Sequence, residues 1–150
     1  MNRRGMLAIG AAVVALATGG AWTLSSRSAG AGAVRVVDTP AAELVTGPGR
    51  LVVDIREPDE WKETGVLPGA LLHSYRDPTA FRAQFEAEIA RGDEIFLVCR
   101  SGNRSNRAAR QLARALGRPI HDVAGGMRRL TGETRVALAA PTARAGCPVC

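Results

Sequence analysis

Two short, almost unbroken runs of apolar residues constrain the fold of this chain most strongly. Residues 51–55 read Leu-Val-Val-Asp-Ile, and residues 95–98 read Ile-Phe-Leu-Val. Such runs are typical of strands covered on both faces, because a strand with one face in water alternates apolar and polar residues. Further strand candidates at residues 34–37, 71–73 and 120–123 alternate with helix candidates. The pattern predicts an α/β fold with a mostly parallel sheet and helices on both faces.

Two of the helix candidates carry specific signals. Thr39 and Pro40 read as the N-cap and the first residue of a helix that begins before residue 41. Phe81, Phe85 and Ile89 recur every four residues, which predicts one apolar helix face turned toward the core.

A cysteine follows the second apolar run directly. The segment Cys99-Arg100-Ser101-Gly102-Asn103-Arg104-Ser105 reads as a tight loop that leads into a helix over residues 105–116. In parallel sheets, ligand sites lie beyond the carboxyl ends of the strands. The free N–H groups of a helix N-terminus, together with Arg100 and Arg104, favour an anionic thiolate. The alternative is a buried cysteine that packs as a small hydrophobic residue. We interpret Cys99 as a nucleophile, because strand, loop, cations and helix start coincide here.

This loop resembles the active-site loop of the rhodanese family of sulfurtransferase domains. Residues 51–58 resemble the strand and Asp-x-Arg-Glu-Pro turn of that family, and residues 65–70 resemble its Gly-His-Ile-Pro-Gly-Ala segment, with Val66 in the histidine position. Gly125 and Gly126 resemble the Gly-Gly turn near the end of the domain. The blocks occur in family order, so the resemblance implies a rhodanese-like fold with the active-site loop between a central strand and a helix N-terminus.

The resemblance also implies roles for individual residues. Cys99 is the catalytic residue, which would accept sulfane sulfur from thiosulfate or a similar donor as a persulfide and pass it to a thiophilic acceptor. The loop after it would bind the substrate through backbone N–H groups and side chains: Arg100, Ser101, Gly102, Asn103, Arg104 and Ser105. Gly102 permits a positive φ in the loop, and Ser105 also suits a helix N-cap. Asp54 and Arg56 support the site from the neighbouring strand.

No metal or organic cofactor is required for this chemistry, because the persulfide is covalent. His73 and His121 are the only histidines, and no metal-ligand spacing links them. We therefore expect each histidine to have a structural or surface role.

Loop length distinguishes two activities on this fold. Four residues lie between Cys99 and Arg104. Sulfurtransferase loops resemble this one, whereas related phosphatases and arsenate reductases have five residues before the arginine, which makes a larger cradle for a tetrahedral oxyanion. The loop therefore favours sulfur transfer over phosphatase chemistry.

The N-terminal region, residues 1–33, is interpreted as an export signal or membrane anchor. Arg3 and Arg4 precede an apolar stretch rich in alanine and glycine, in an order that resembles a twin-arginine signal. Small residues at 31–33 offer a cleavage site. Without cleavage, residues 6–24 would anchor the protein in a membrane. Either outcome predicts a periplasmic or otherwise exported protein, with the rhodanese-like domain at residues 34–130.

The charge of the chain argues against nucleic acid as a partner. The formal net charge is +6, but residues 1–33 carry three arginines and no acidic residue, so the remainder carries +3. Lys62 is the only lysine, so arginine supplies nearly all of the positive charge. Together with the abundant alanine and glycine, this is typical of a genome-wide compositional preference and weakens any interpretation of arginine clusters as nucleic-acid sites. The expected partners are a small anionic sulfur donor and a thiol or protein sulfur acceptor, with a membrane only if the signal stays uncleaved.

Residues 131–150 form a C-terminal extension that ends in Cys147-Pro148-Val149-Cys150. Three interpretations stay open for its two cysteines: a local disulfide on a floppy terminus, a relay that takes sulfur from Cys99, or half of a metal site. The sequence therefore leaves a second function class open, a periplasmic thiol–disulfide, redox or sulfur-carrier protein that uses Cys147 and Cys150.

Overall fold

The computed structural model describes residues 32–132 and 137–150. Its centre is a sheet of five strands: β1 (Val34–Val37), β2 (Arg50–Asp54), β3 (Leu71–Leu72), β4 (Glu94–Val98) and β5 (Ile120–Val123). The strands lie in the order β1-β5-β4-β2-β3, and every neighbouring pair is parallel. The predicted α/β fold with a mostly parallel sheet is confirmed.

Helices follow the strands in alternation. They are α1 (Ala41–Thr46), α2 (Pro58–Thr64), α3 (Pro78–Gln84), α4 (Glu86–Arg91), α5 (Asn103–Leu116) and α6 (Gly126–Gly132), with a 3-10 helix at Ala143–Ala145. Successive side chains of a strand point to opposite faces of the sheet. Val53 and Leu97 accordingly join a core with residues of α3 and α5, whereas Val52 and Phe96 join a second core with residues of α1 and α6. Because both faces are covered, β2 and β4 are apolar except at their ends, where Arg50, Asp54 and Glu94 lie.

The phenylalanine stripe belongs to two short helices, so the prediction of one continuous helix face is wrong. The backbone of Phe85 leaves helical geometry, with φ −117° and ψ 30°, and α4 starts at the next residue. Phe81 and Phe85 are nevertheless buried together, and Ile89 packs against the same core. The four-residue spacing correctly indicated a shared core but could not reveal the break.

Two helix starts also differ from the sequence-based expectation. The N-cap of α1 is Pro40, so Thr39 lies outside the helix. Helix α5 begins at Asn103 with Gly102 as its N-cap, two residues before the expected start, so Ser105 lies inside the first turn. Gly102 has a φ of 92°, which supports its predicted role in a tight loop.

The C-terminal segment packs on the domain. Ala139 exchanges both backbone hydrogen bonds with Val66, at 2.9 and 3.0 Å. The glycine at position 146 lies so close to the carbonyl of Leu72 that a Cβ would collide with it. These contacts hold the segment against α2 and β3, so of the first of the three open interpretations the structure contains the local disulfide but not the floppy terminus.

The predicted export signal or anchor at residues 1–33 lies outside the described residues, apart from its last two positions. Within the described ranges, no helix has the length and apolar character needed to cross a membrane.

Candidate active site

Cys99 lies where the connectivity of the sheet changes direction. The chain leaves β2 toward β3 on one side and leaves β4 toward β5 on the other, and β2 and β4 are neighbours. Ligands of open α/β sheets bind in the crevice at such a point. Cys99 follows β4 and Arg56 follows β2, so the sequence-predicted nucleophile stands at the expected crevice.

The loop after Cys99 wraps donors around its sulfur. The backbone N–H of Gly102 donates to Sγ at 3.2 Å, and the N–H of Ser105 does so at 3.4 Å. The hydroxyl oxygen of Ser105 also lies 3.4 Å from Sγ. Cys99 itself is buried. Two backbone donors from the first turn of a helix stabilise negative charge on the sulfur.

The residues after the Gly-Gly turn hold this loop through backbone hydrogen bonds. The N–H of Met127 donates to the carbonyl of Cys99 at 2.8 Å, and the N–H of Arg128 donates to that of Arg100 at 3.0 Å. Gly126 has a φ of 56°, and a Cβ there would collide with the Cys99 carbonyl oxygen. Glycine is therefore required at this position by both the backbone conformation and the close approach.

Arg104 closes the loop through an ion pair that sequence reasoning missed. Its two terminal nitrogens each donate to one carboxylate oxygen of Glu60 in α2, both at 2.6 Å. The hydrogen bond from Arg104 lowers the pKa of Glu60, and the same bond raises the pKa of Arg104, with the charge of Cys99 a lesser cause. The bidentate geometry fixes the guanidinium beside the loop, so Arg104 positions the loop as well as supplying charge.

Arg56 is a scaffold residue with no donor to spare. Its guanidinium is 2% exposed and pairs with Asp54 at 2.7 Å. Its remaining donors go to the carbonyls of Glu60 and Gly65 and to the hydroxyl of Thr64. A guanidinium has five N–H donors, and all five have acceptors here. Asp54 and Arg56 therefore tie β2 to α2, and through α2 they support the residue that holds Arg104.

A cavity of about 300 Å³ borders the loop. Arg56, Arg100 and Arg128 are its basic lining residues, and Glu60 and Glu63 are its acidic ones. Arg100 and Arg128 are exposed, and within the described ranges neither side chain has a hydrogen bond or ion pair. These two arginines are therefore the cations available to an anionic ligand in this cavity.

A second cavity of about 290 Å³ lies on the α5 side of the loop and is lined by Arg76, Arg104 and Arg107. Arg76 pairs with Glu57 at 3.3 Å. Ser101 and Asn103 are exposed, so these two predicted loop residues face solvent.

The two C-terminal cysteines form a disulfide with each other. Cys147 is 1% exposed and packs with Trp61, Val66 and Leu72, whereas Cys99 belongs to a different core. Leu72 lies on β3, which is separated from β4 by β2. Strands are about 4.8 Å apart, so about 10 Å of sheet lies between the two strands. The structure does not bring Cys147 and Cys99 together.

The histidines lie apart from the cysteine loop in structural settings. Burial lowers the pKa of both His73 and His121. The ring of His73 packs edge-on against Phe81 and Phe85, and the ring of His121 stacks on Phe96. Among the described residues, no group of histidine, cysteine and acidic side chains is arranged to hold a metal ion.

Sequence reasoning missed a second acidic residue near the cysteine. Asp122 on β5 is 3% exposed, and its Oδ1 lies 2.6 Å from the Ser105 hydroxyl. An acidic residue within a fully buried strand, here Ile-His-Asp-Val, is a detectable signal, because buried carboxylates need partners. Glu60 left a weaker signal, since its position three residues after Glu57 also fits the capping box observed at α2.

The fold and the cysteine loop define a class: parallel α/β domains with a cysteine loop between a central strand and a helix N-terminus. The family model for the rhodanese-like domain matches residues 37–133, which is more than half of the chain. The chain belongs to the rhodanese-like domain family.

Individual relatives agree with this assignment. A Bacillus subtilis (strain 168) protein named "Putative sulfur carrier protein YrkF" is 35% identical over 83 residues, covering 55% of this chain and 42% of that protein. This chain therefore spans less than half the length of that relative.

Two crystal structures share the fold. A rhodanese-related protein from Thermoplasma volcanium is 24% identical with a TM-score of 0.52, covering 70% of this chain and 99% of that one. A rhodanese-like domain protein from Staphylococcus aureus is 22% identical with a TM-score of 0.52, covering 71% of this chain and 97% of that one.

Proposed function

We propose that this protein is a sulfurtransferase in which Cys99 carries sulfane sulfur as a persulfide. The observation that supports this most directly is the pair of backbone N–H groups, from Gly102 and Ser105, that donate to the Cys99 sulfur. A persulfide ends in a negatively charged sulfur, and fixed N–H donors at a helix start stabilise such charge without reorganising.

In the first step, the Cys99 thiolate attacks the outer sulfur of thiosulfate or a similar anionic donor. A new S–S bond forms to Cys99 and the donor's own S–S bond breaks, so sulfite leaves with the bonding electron pair. Arg100 and Arg128 attract the anionic donor into the cavity beside the loop, since neither is paired within the described ranges.

In the second step, a thiophilic acceptor attacks the terminal sulfur of the persulfide. The bond to Cys99 breaks, and the thiolate is regenerated under the same backbone donors. The acceptor is cyanide in an assay and a thiol or a protein thiol in the cell. The name of the Bacillus subtilis relative as a sulfur carrier supports a protein acceptor. No step requires a metal or an organic cofactor.

The tail disulfide has no part in this cycle. Cys147 is buried against α2 and β3, so a relay through Cys147 and Cys150 would require the segment to leave its packing site. The loop also retains four residues between Cys99 and Arg104, which favours a sulfur atom over a tetrahedral phosphate as its ligand.

The setting that we propose is the periplasm. The twin-arginine pattern near the N-terminus supports export, and a disulfide between Cys147 and Cys150 is stable in an oxidising compartment. Cell fractionation of the tagged full chain tests this, and recovery in the cytoplasm alone would contradict it.

Turnover of thiosulfate and cyanide to thiocyanate tests the activity. We expect the full chain to turn over, Cys99→Ser to be inactive, and a Cys147→Ser/Cys150→Ser variant to keep its rate. Loss of activity in the tail variant with normal folding would favour the dithiol alternative, and hydrolysis of a phosphate ester by the wild type with no thiocyanate would refute sulfur transfer.

A further inference from the structure

A series of buried polar contacts links Cys99 to Asp122 through Ser105. Ser105 is fully buried, and its hydroxyl oxygen lies between Sγ of Cys99, at 3.4 Å, and Oδ1 of Asp122, at 2.6 Å. The other carboxylate oxygen of Asp122 accepts from the side-chain amide of Asn106 at 2.9 Å. Within the described ranges, no cation forms an ion pair with Asp122. The carboxylate is therefore stabilised only by neutral hydrogen-bond donors.

Arg110, at the outer end of this series of hydrogen bonds, fixes their direction. Nε of Arg110 can only donate, and it donates to Oδ1 of Asn106 at 3.0 Å. The amide nitrogen of Asn106 is therefore the atom that faces Asp122, and the carboxylate accepts from it.

Ser105 has a single hydroxyl proton and three acceptors within reach. Of these three acceptors, the carboxylate of Asp122 is the nearest, at 2.6 Å. The carbonyl of Gly102 lies at 3.1 Å and Sγ of Cys99 at 3.4 Å. The Gly102 carbonyl already accepts from the N–H of Asn106 at 2.9 Å. Since charge-assisted hydrogen bonds are the stronger ones, the proton lies toward Asp122, and Ser105 presents only lone pairs to the sulfur.

We propose that Asp122 is a positioning residue that restrains ionisation of Cys99 by holding the Ser105 proton away from the sulfur. Lone pairs on Ser105 accept a hydrogen bond from the thiol but give none to the thiolate. Among the described residues, the backbone N–H groups of Gly102 and Ser105 are therefore the hydrogen-bond donors to the thiolate, and Asp122 determines that the Ser105 hydroxyl does not join them. This inference rests on the proposed function only in taking Cys99 as the nucleophile.

The variant Asp122→Asn exchanges the donor and acceptor roles in the hydrogen bond between Ser105 and position 122. Asn106 still presents its amide nitrogen, so the new side chain must turn its carbonyl oxygen toward Asn106 and its own amide nitrogen toward Ser105. Ser105 then accepts a hydrogen bond where it formerly donated one, and its proton is free to point at Sγ. A hydrogen bond gained by a charged group corresponds to about one pH unit in its ionisation, so the midpoint of Cys99 ionisation should move about one unit lower.

The full chain allows a direct measurement by the ultraviolet absorbance of the thiolate during a pH titration. Cys99 is the only free cysteine while the tail disulfide is intact. Tyr75 is the only tyrosine, and burial raises its pKa to about 12, so it does not interfere. Arg104, whose raised pKa owes a lesser part to the charge of Cys99, is unchanged in every variant.

A double-mutant cycle with Ser105→Ala separates the hydrogen-bond route from simple charge removal. We expect Asp122→Asn to lower the midpoint by about one unit in the wild-type background and to have no effect in Ser105→Ala. An unchanged or raised midpoint in the single variant would overturn the proposal, and so would an equal shift in both backgrounds, because Asp122 would then act by charge alone.

A second substitution at position 122 tests the proposal if Asp122→Asn does not fold. Asp122→Val suits a buried strand and leaves Sγ and the Gly102 carbonyl as acceptors for the Ser105 hydroxyl. Because that carbonyl already accepts from the N–H of Asn106, we expect the same downward shift, and no shift would overturn the proposal. Sulfur loading by thiosulfate is measured separately by mass. A titration shift without loading would refute the proposed function and leave this inference standing.

Discussion

The buried pair of Asp54 and Arg56 allows a prediction whose size follows from its burial. Both side chains are 2% exposed, and Asp54 also accepts the backbone N–H of Arg56 at 3.1 Å. The substitution Asp54→Asn keeps the shape but removes the charge, and it replaces one acceptor oxygen by an NH2 group that faces donors. A buried charge that loses its partner costs about 3–5 kcal/mol.

The chain contains a matched control. Glu43 pairs with Arg50 at 3.1 Å, but the Glu43 side chain is 58% exposed. The same chemical change there, Glu43→Gln, should lower the free energy of unfolding by less than about 1 kcal/mol. Against a total stability of about 5–15 kcal/mol, the two variants are readily distinguished by urea unfolding at neutral pH.

Equal losses of stability in Asp54→Asn and Glu43→Gln would contradict a dependence of ion-pair strength on burial. A small loss at Asp54 would mean that water reaches Arg56, and that the ion pair does not organise the start of α2. A large loss at both positions would mean that burial does not determine the strength of these pairs.

Three further predictions concern the loop and the tail. The pKa of Glu60 is lowered from 4.5, chiefly by the hydrogen bond from Arg104, so its stabilisation is fully present above about pH 4.5 and is lost as the pH falls through the lowered folded value; unfolding curves of Glu60→Gln and wild type should differ at neutral pH and converge in acid. Gly126→Ala should lower stability by more than about 2 kcal/mol and slow sulfur transfer, since its Cβ would displace the loop; melting and turnover at wild-type levels would contradict the close approach. Loss of the tail disulfide should cost about 2 kcal/mol in Cys150→Ser and more in Cys147→Ser, where a hydroxyl replaces a buried sulfur; equal melting temperatures for the two variants would show that burial of Cys147 contributes nothing.

The elements that the sequence predicted well are those with local signals. The apolar runs of β2 and β4 predicted strands buried on both faces, and the segment from Cys99 predicted a tight loop between a strand and a helix start. A strand lined by apolar residues on both faces can only be stable inside a covered sheet, so a local pattern carried information on the global fold.

The features that the sequence did not predict depend on contacts between distant residues. Glu60 and Arg104 lie 44 positions apart, and Ser105 and Asp122 lie 17 apart. No fixed sequence spacing predicts either pair, because the strand order of the parallel sheet determines which loops lie next to each other. The anchored position of Cys147 has the same origin, since its burial depends on Trp61 and Leu72 in other elements.

Intact mass spectrometry of the full chain after incubation with thiosulfate, with Cys99→Ser alongside, shows whether Cys99 carries sulfur. We expect one added sulfur atom on the wild type, absent from Cys99→Ser and removed by cyanide. No added sulfur on a folded wild-type protein, or an equal addition to Cys99→Ser, would contradict Cys99 as the sulfur carrier.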